Sequence, residues 1–258
     1  MTDLQRAHAQ SFGAVAAEYD AARPSYPDRL FDEIERLAGR PLKGADVLDV
    51  GAGTGIATRL LAGRGARVTA VEPSPGMAAQ LHAVSPGIPL VKGSGDDLPF
   101  HDATADLITY AQAFHWTDQR RSIPEAMRVL RPGGSLALWW NVKDRETAWV
   151  AAQEDRFAAA LPSYHYYGAA NAIVDELSPY GLALGTATLR WERTVTVESA
   201  ITDLRSKSYF AVVPAEQRER VLADERAALL AEFPDGRLVE PYRLELTVAT
   251  TVRPVRPV

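Results

Sequence analysis

Cysteine is absent from the chain, and only 3 of its 258 residues are methionine. Without cysteine there is no disulfide framework, no thiolate metal site and no cysteine nucleophile. No uninterrupted apolar run approaches the roughly 20 residues of a membrane-spanning helix. The opening Met1-Thr2-Asp3-Leu4-Gln5-Arg6 also lacks the basic and apolar regions of a secretory signal. The expectation is a soluble, cytoplasmic protein with no membrane partner. Surplus positive charge is missing too: 28 Lys and Arg stand against 33 Asp and Glu, a net charge of −5. That balance argues against a nucleic-acid partner, which favours a basic face. The histidines (8, 82, 101, 115, 165) are scattered, and no two have the i, i+4 spacing of a helical zinc pair. No metal is expected, and no repeat or low-complexity block is present.

What the chain does have is Val47-Leu48-Asp49-Val50-Gly51-Ala52-Gly53-Thr54-Gly55. The apolar start reads as a short buried parallel strand, and Ile56 to Ala62 beyond the glycines reads as a helix. Glycine at such a turn permits positive φ and lets a ligand approach the backbone, while the N–H groups of the following helix face the same crevice. This is a nucleotide-type site at the carboxyl end of a first strand. The dinucleotide pattern G-x-G-x-x-G/A fails in both registers, because Ile56 or Thr58 falls on the last position. Asp49 lies immediately before the loop, where a carboxylate suits a ligand bearing positive charge better than a pyrophosphate.

On Leu48-Asp49-Val50-Gly51-Ala52-Gly53-Thr54-Gly55 the sequence resembles the class I S-adenosylmethionine-dependent methyltransferases. Further along, Arg67–Glu72 reads as a second strand, and Glu72 falls 21 positions after Gly51. An acid about 20 residues on can accept hydrogen bonds from both ribose hydroxyls; otherwise it is a solvated strand end. Met77 opens the next helix. The resemblance implies packing near the adenine, while periodicity alone makes Met77 a core residue. Leu90–Gly93 is a third strand leading into Ser94-Gly95-Asp96, which the resemblance places at the adenine edge. There the family more often has Asp and Ala in place of Ser94 and Gly95, so Ser94 or Asp96 would meet the exocyclic amine and the Gly95 N–H a ring nitrogen.

Ala105–Tyr110 is a fourth strand, followed by Ala111-Gln112-Ala113-Phe114-His115-Trp116. Ligands of open α/β sheets bind outside the carboxyl ends of strands, so Ala111 is placed beside the cofactor and His115 and Trp116 near the transferred methyl. This stretch resembles the small-molecule methyltransferases grouped with the trans-aconitate and ubiquinone-biosynthesis types. His115 is either a structural histidine or a general base, its usual pKa lying near working pH. Ser135–Trp140 is a fifth strand. Five strand signals alternating with helices predict a doubly wound, mostly parallel, Rossmann-like sheet.

The remaining segments frame this core. Residues 1–20 read as a helix, stopped by Arg23-Pro24-Ser25-Tyr26-Pro27, and Phe31–Leu37 reads as a second. The Phe12…Tyr19…Tyr26 pattern resembles an N-terminal cap that closes over the cofactor, which makes Tyr19 a second catalytic candidate and Tyr26 a substrate contact. Packing is the alternative for both. Beyond Asn141, helices at 148–161 and 214–232 and strands at 190–197 and 243–252 complete the expectation: seven strands, the last antiparallel, with inserted helices as an acceptor lid. Tyr166, within Tyr164-His165-Tyr166-Tyr167, and Tyr209 are candidate acceptor-lining residues. One overall domain divides into a cap (1–40), a cofactor core (41–141) and a lid with the final strands (142–258).

The resulting reading is an enzyme that moves a methyl group from S-adenosylmethionine to a small-molecule O, N or C nucleophile, as in natural-product or secondary metabolism. S-adenosylhomocysteine is the second product, and the protein acts as a monomer or homodimer. Two alternatives compete with it. One is a protein that binds S-adenosylmethionine without transferring the methyl; the other is a nicotinamide-dependent oxidoreductase, opposed by Asp49 and the failed third glycine.

Overall fold

The computed structural model describes residues 23–161, 164, 170–211 and 213–251. Phe12, Tyr19, His165, Tyr166 and Tyr167 lie outside them. Seven strands form one sheet: β1 (Asp46–Val50), β2 (Arg67–Val71), β3 (Leu90–Val91), β4 (Ala105–Ala111), β5 (Leu130–Lys143), β6 (Ala183–Thr196) and β7 (Arg237–Thr250). Their order is β3-β2-β1-β4-β5-β7-β6. The first five run parallel, and β7 is antiparallel to both β5 and β6. The expected doubly wound sheet with an antiparallel last strand is what forms.

The helices are α1 (Asp28–Ala38), α2 (Ile56–Gly63), α3 (Pro75–Val84), α4 (Gln119–Val129), α5 (Ala148–Ala160), α6 (Ala170–Leu177), α7 (Val197–Arg205), α8 (Ser208–Ala211) and α9 (Ala215–Glu232). Alternate strand residues serve opposite faces. Val47 and Leu107 pack with Leu30, Phe31 and Ile34 of α1 and with Leu61 of α2. Leu48 and Ile108 pack on the other face with Ile123 and Val129 of α4 and Leu177 of α6. Both faces of the parallel strands are therefore covered, which is why their sequences read as nearly unbroken apolar runs. A third cluster joins Phe157 of α5, Leu204 of α7, Phe210 of α8 and Leu222 of α9 to Leu238 of β7. This cluster, on the outer ends of the last two strands, is the segment expected as the lid.

The helix following Pro27 packs into the sheet's own helical layer: Leu30, Phe31 and Ile34 are fully buried against strands including β7. One expectation is corrected. The last two strands are longer than their patterns suggested. Strand β6 begins at Ala183, in a run of small residues. A side-chain carbon on Gly185 would lie 2.7 Å from Leu37, so the small residue lets α1 approach. Strand β7 begins at Arg237 and includes Pro241. The β5 ladder ends at Tyr242; one rung further Pro241 still accepts from Asp144 N at 2.9 Å through its carbonyl, so its missing N–H falls where that ladder stops. A missing N–H is tolerated at the end of a ladder, where no further rung needs it.

Candidate active site

Three strand ends and the loops beyond them build the site. At the end of β1, Gly51 N and Ala52 N both donate to Val71 O, at 2.8 and 3.2 Å, tying the loop to β2. Gly51, Gly53 and Gly55 have φ of +69°, +59° and +86°. A side chain on Gly51 would meet Ala113 Cβ at 2.5 Å, so this position must be bare. At Gly53 the side-chain direction opens onto empty space, as expected of a loop whose backbone faces a ligand.

Glu72 stands directly under that opening. Its Oε2 accepts from Gly53 N and its Oε1 from Ser74 N, each at 2.8 Å. A carboxylate oxygen has two acceptor sites, so each oxygen keeps one more, side by side. Two adjacent acceptors fit the two hydroxyls of a ribose. Burial pushes the Glu72 pKa up, the two N–H donors oppose this, and the charge of Asp49 adds to the rise.

Asp49 is completely buried. The register that pairs it with Thr109 brings Thr109 Oγ1 to 2.8 Å from Oδ1, and Thr58 Oγ1 of α2 donates to Oδ2 at 2.6 Å. Burial raises its pKa to about 6 against those two bonds. The expectation of a carboxylate open to the ligand is thus modified. Asp49 lies closed off beneath the loop, with a threonine hydroxyl on each carboxylate oxygen.

In the turn beyond β3, Gly95 rests on the ring of Tyr110, whose hydroxyl would clash with any side chain there. The Tyr110 hydroxyl is buried, makes no hydrogen bond among the described residues, and is held protonated by burial and by the charges of Asp96 and Glu125. Asp96 Oδ1 accepts from Asp118 N at 2.8 Å, joining the 94–97 turn to the start of α4. Ser94 is half-buried in the same turn, bridged to Asp97. Met77 is 4% exposed, so its side chain serves the interior in either reading.

Beyond β4 the chain turns sharply. Gln112, after Ala111, has φ of +55° and donates its N–H to Trp139 O at 2.9 Å. A left-handed non-glycine residue at a strand end is the kind of strain that collects at functional sites. Next come His115 and Trp116, their rings 4.7 Å apart. Trp140 Nε1 donates to His115 Nδ1 at 3.3 Å. That bond places the proton of the neutral ring on Nε2, and burial lowers the His115 pKa to about 4. His115 is therefore a neutral hydrogen-bond donor and a weak base.

The other sequence-derived candidates fall elsewhere. Tyr26 packs edge-on against Trp139, with ring centroids 5.7 Å apart. Tyr209 belongs to the lid cluster, 5.0 Å from Tyr164 and 6.2 Å from Phe157. Sequence reasoning did not find the partnership of Trp140 with His115. The paired tryptophans near the end of the fifth strand were the available signal.

A glycine loop after the first parallel strand, an acid after the second and an antiparallel seventh strand define a Rossmann-like, S-adenosylmethionine-dependent methyltransferase. Residues 48–138 match the model of the methyltransferase domain family. Over 243 residues the chain is 34% identical to an uncharacterized methyltransferase of Mycobacterium tuberculosis, covering 91% of each chain, and it belongs to that family of methyltransferases. A candidate type II methyltransferase from Anaeromyxobacter dehalogenans superposes with a TM-score of 0.69 at 25% identity, covering 90% of this chain and 99% of that one. The phosphoethanolamine N-methyltransferase 2 of Haemonchus contortus, solved with S-adenosyl-L-methionine, shares the fold at a TM-score of 0.55 and 15% identity. That match covers 93% of this chain and 57% of the other. The protein is an enzyme of this class, and its cofactor is S-adenosylmethionine. None of its described helices is long and apolar enough to cross a membrane.

Proposed function

We propose that the enzyme methylates a small molecule, with the cofactor lying across the carboxyl ends of β1, β2 and β4. The two remaining acceptor sites of Glu72, under the bare Gly53 loop, carry this reading. Glu72 would take the ribose hydroxyls, Asp49 would favour the cationic end from below, and Gly51 and Gly55 would shape the loop. Ser94, Gly95, Asp96, Met77 and Ala111 would border the base. When bound, S-adenosylmethionine supplies an electrophilic methyl, whose C–S bond breaks with both electrons passing to sulfur as the acceptor's lone pair forms the new bond.

The chain's own task is alignment and exclusion of water, and orientation of this kind contributes as much as roughly 7–11 kcal/mol. His115 would donate its Nε2–H to the acceptor or its surroundings, with Trp116 beside it. Tyr209 would line the acceptor side, and Tyr19, Tyr26 and Tyr166 keep the closing and lining roles assigned from sequence. An acceptor that is already a nucleophile, such as a carboxylate or free amine, suits a site whose histidine is a weak base. The relation to the trans-aconitate and ubiquinone-biosynthesis types belongs to this proposal, as does a small-molecule partner with the enzyme as monomer or homodimer. Incubation with methyl-labelled S-adenosylmethionine and a metabolite library tests it. A small product gaining one methyl is expected; label appearing only on macromolecules would overturn it.

A further inference from the structure

The sheet has two edges, and the sequence treats them differently. At one, β3 is only two residues long, with Pro89 before it and Lys92 after it. Short strands, prolines and lysines are the usual means of keeping an edge from pairing with another chain. At the other edge β6 has none of them. It runs for 14 residues, Ala183–Thr196, without lysine or proline. Its ladder to β7 is unbroken from the Ala183–Thr250 rung to the Thr196–Arg237 rung, so no bulge twists it aside. Among the described residues β7 is its one strand neighbour. The backbone N–H and C=O groups along its outer side are a template for a further strand.

Side chains decide which strand fits. Thr186, Thr188, Arg190, Glu192, Thr194 and Thr196 share one face of β6, and each is exposed. This row is a palindrome about Trp191, except that Arg stands on one side where Glu stands on the other. Antiparallel pairing of two copies about Trp191 sets Thr186 against Thr196, Thr188 against Thr194 and Arg190 against Glu192, each pair twice. On the opposite face Ala187 meets Val195. Thr–Thr and opposite-charge pairs across strands are favourable, and like charges directly opposite are not. A slip of two residues in the pairing sets Arg190 against Arg190 in one direction and Glu192 against Glu192 in the other. A slip of one residue sets this exposed row against the half-buried face.

The charges choose the register and the backbone holds it. Glu192 makes no ion pair among the described residues, whereas Arg190 already gives Nε to Asp144 and Nη2 to Glu146, at 2.9 and 2.7 Å. Its Nη1 is left for Glu192 of a second copy, and an exposed pair of this kind adds little affinity. Residues 186–196 of both copies would supply about ten backbone hydrogen bonds, roughly the number a typical protein interface carries.

We infer that β6 is a dimerisation edge: two copies of the chain pair through residues 186–196, antiparallel about Trp191, into one continuous sheet. The interface is isologous, the same patch serving both copies. The glycine loop follows β1, which β4, β5 and β7 separate from β6, so both cofactor sites lie away from the junction.

The test is sedimentation velocity on the full chain over about 1–100 μM, the range in which a dimer of moderate affinity assembles. A species of twice 28.1 kDa is expected. Thr188→Lys combined with Thr194→Lys sets lysine against lysine at two places and should weaken dimerisation about tenfold or more. Thr188→Glu combined with Thr194→Glu should do the same. Mixing the two double variants sets Lys against Glu at both places, and the dimer should return. All four substitutions lie on exposed positions, so S-adenosylhomocysteine affinity should stay within about twofold and reports that each variant is folded. A wild-type chain monomeric throughout, a dimer that survives the lysine variant, or a mixture that stays monomeric would overturn the inference.

Discussion

Asp49 and His115 are both titratable groups enclosed by protein, and burial drives each toward its neutral form. The Asp49 pKa of about 6 lies above its usual 3.8, so the ligand-free folded protein holds a proton that the unfolded chain releases between those values. The stability from this group is full below pH 3.8 and is lost as pH rises through 6. A two-unit shift corresponds to about 3 kcal/mol. A cationic ligand requires the ionised form, so S-adenosylmethionine affinity should rise with pH and level off above about 6. Calorimetry across pH 4.5–8 checks this, and Asp49→Asn should flatten the profile while raising the melting temperature of the ligand-free protein. In the proposed reaction His115 would act through its Nε2–H. His115→Ala should lower kcat about tenfold or more, the scale of one lost hydrogen bond, with little change in cofactor affinity. His115→Gln, which carries an N–H at a similar distance, should restore part of the rate. Equal activity in the alanine variant would return His115 to a structural role.

At the scale of elements, the loop after β1 was legible in the sequence because its requirements are local. Three alternating glycines, a preceding acid and a following helix are determined by φ angles and by the strand–turn–helix connection. The tight approach to Ala113 was not legible, since it depends on how the β4 loop folds back. Gly51→Ala should combine a strained φ of +69° with a 2.5 Å clash. A loss of about 2–4 kcal/mol is expected, measured as a fall in denaturation midpoint accompanied by loss of cofactor binding. Strand β7 starts at Arg237, six residues before the expected 243, and only the pairing partners show that Pro241 stands where the β5 ladder stops while the β6 ladder continues.

Across the whole molecule, the two clusters on the sheet faces share no residue with the lid cluster. Cores divided in this way open at different free energies. Hydrogen exchange should therefore show α7–α9 exchanging faster than β1 and β4, and uniform protection across the chain would contradict it. The sequence by itself determined the sheet class, the cofactor loop and Glu72, because each follows from periodicity, glycine conformation or fixed spacing along the chain. Tertiary structure alone decided the burial of Asp49, the Trp140–His115 bond and the meeting of Lys143 with Glu240. These groups lie far apart in sequence, and charge, protonation and accessibility belong to the surroundings a side chain acquires only on folding.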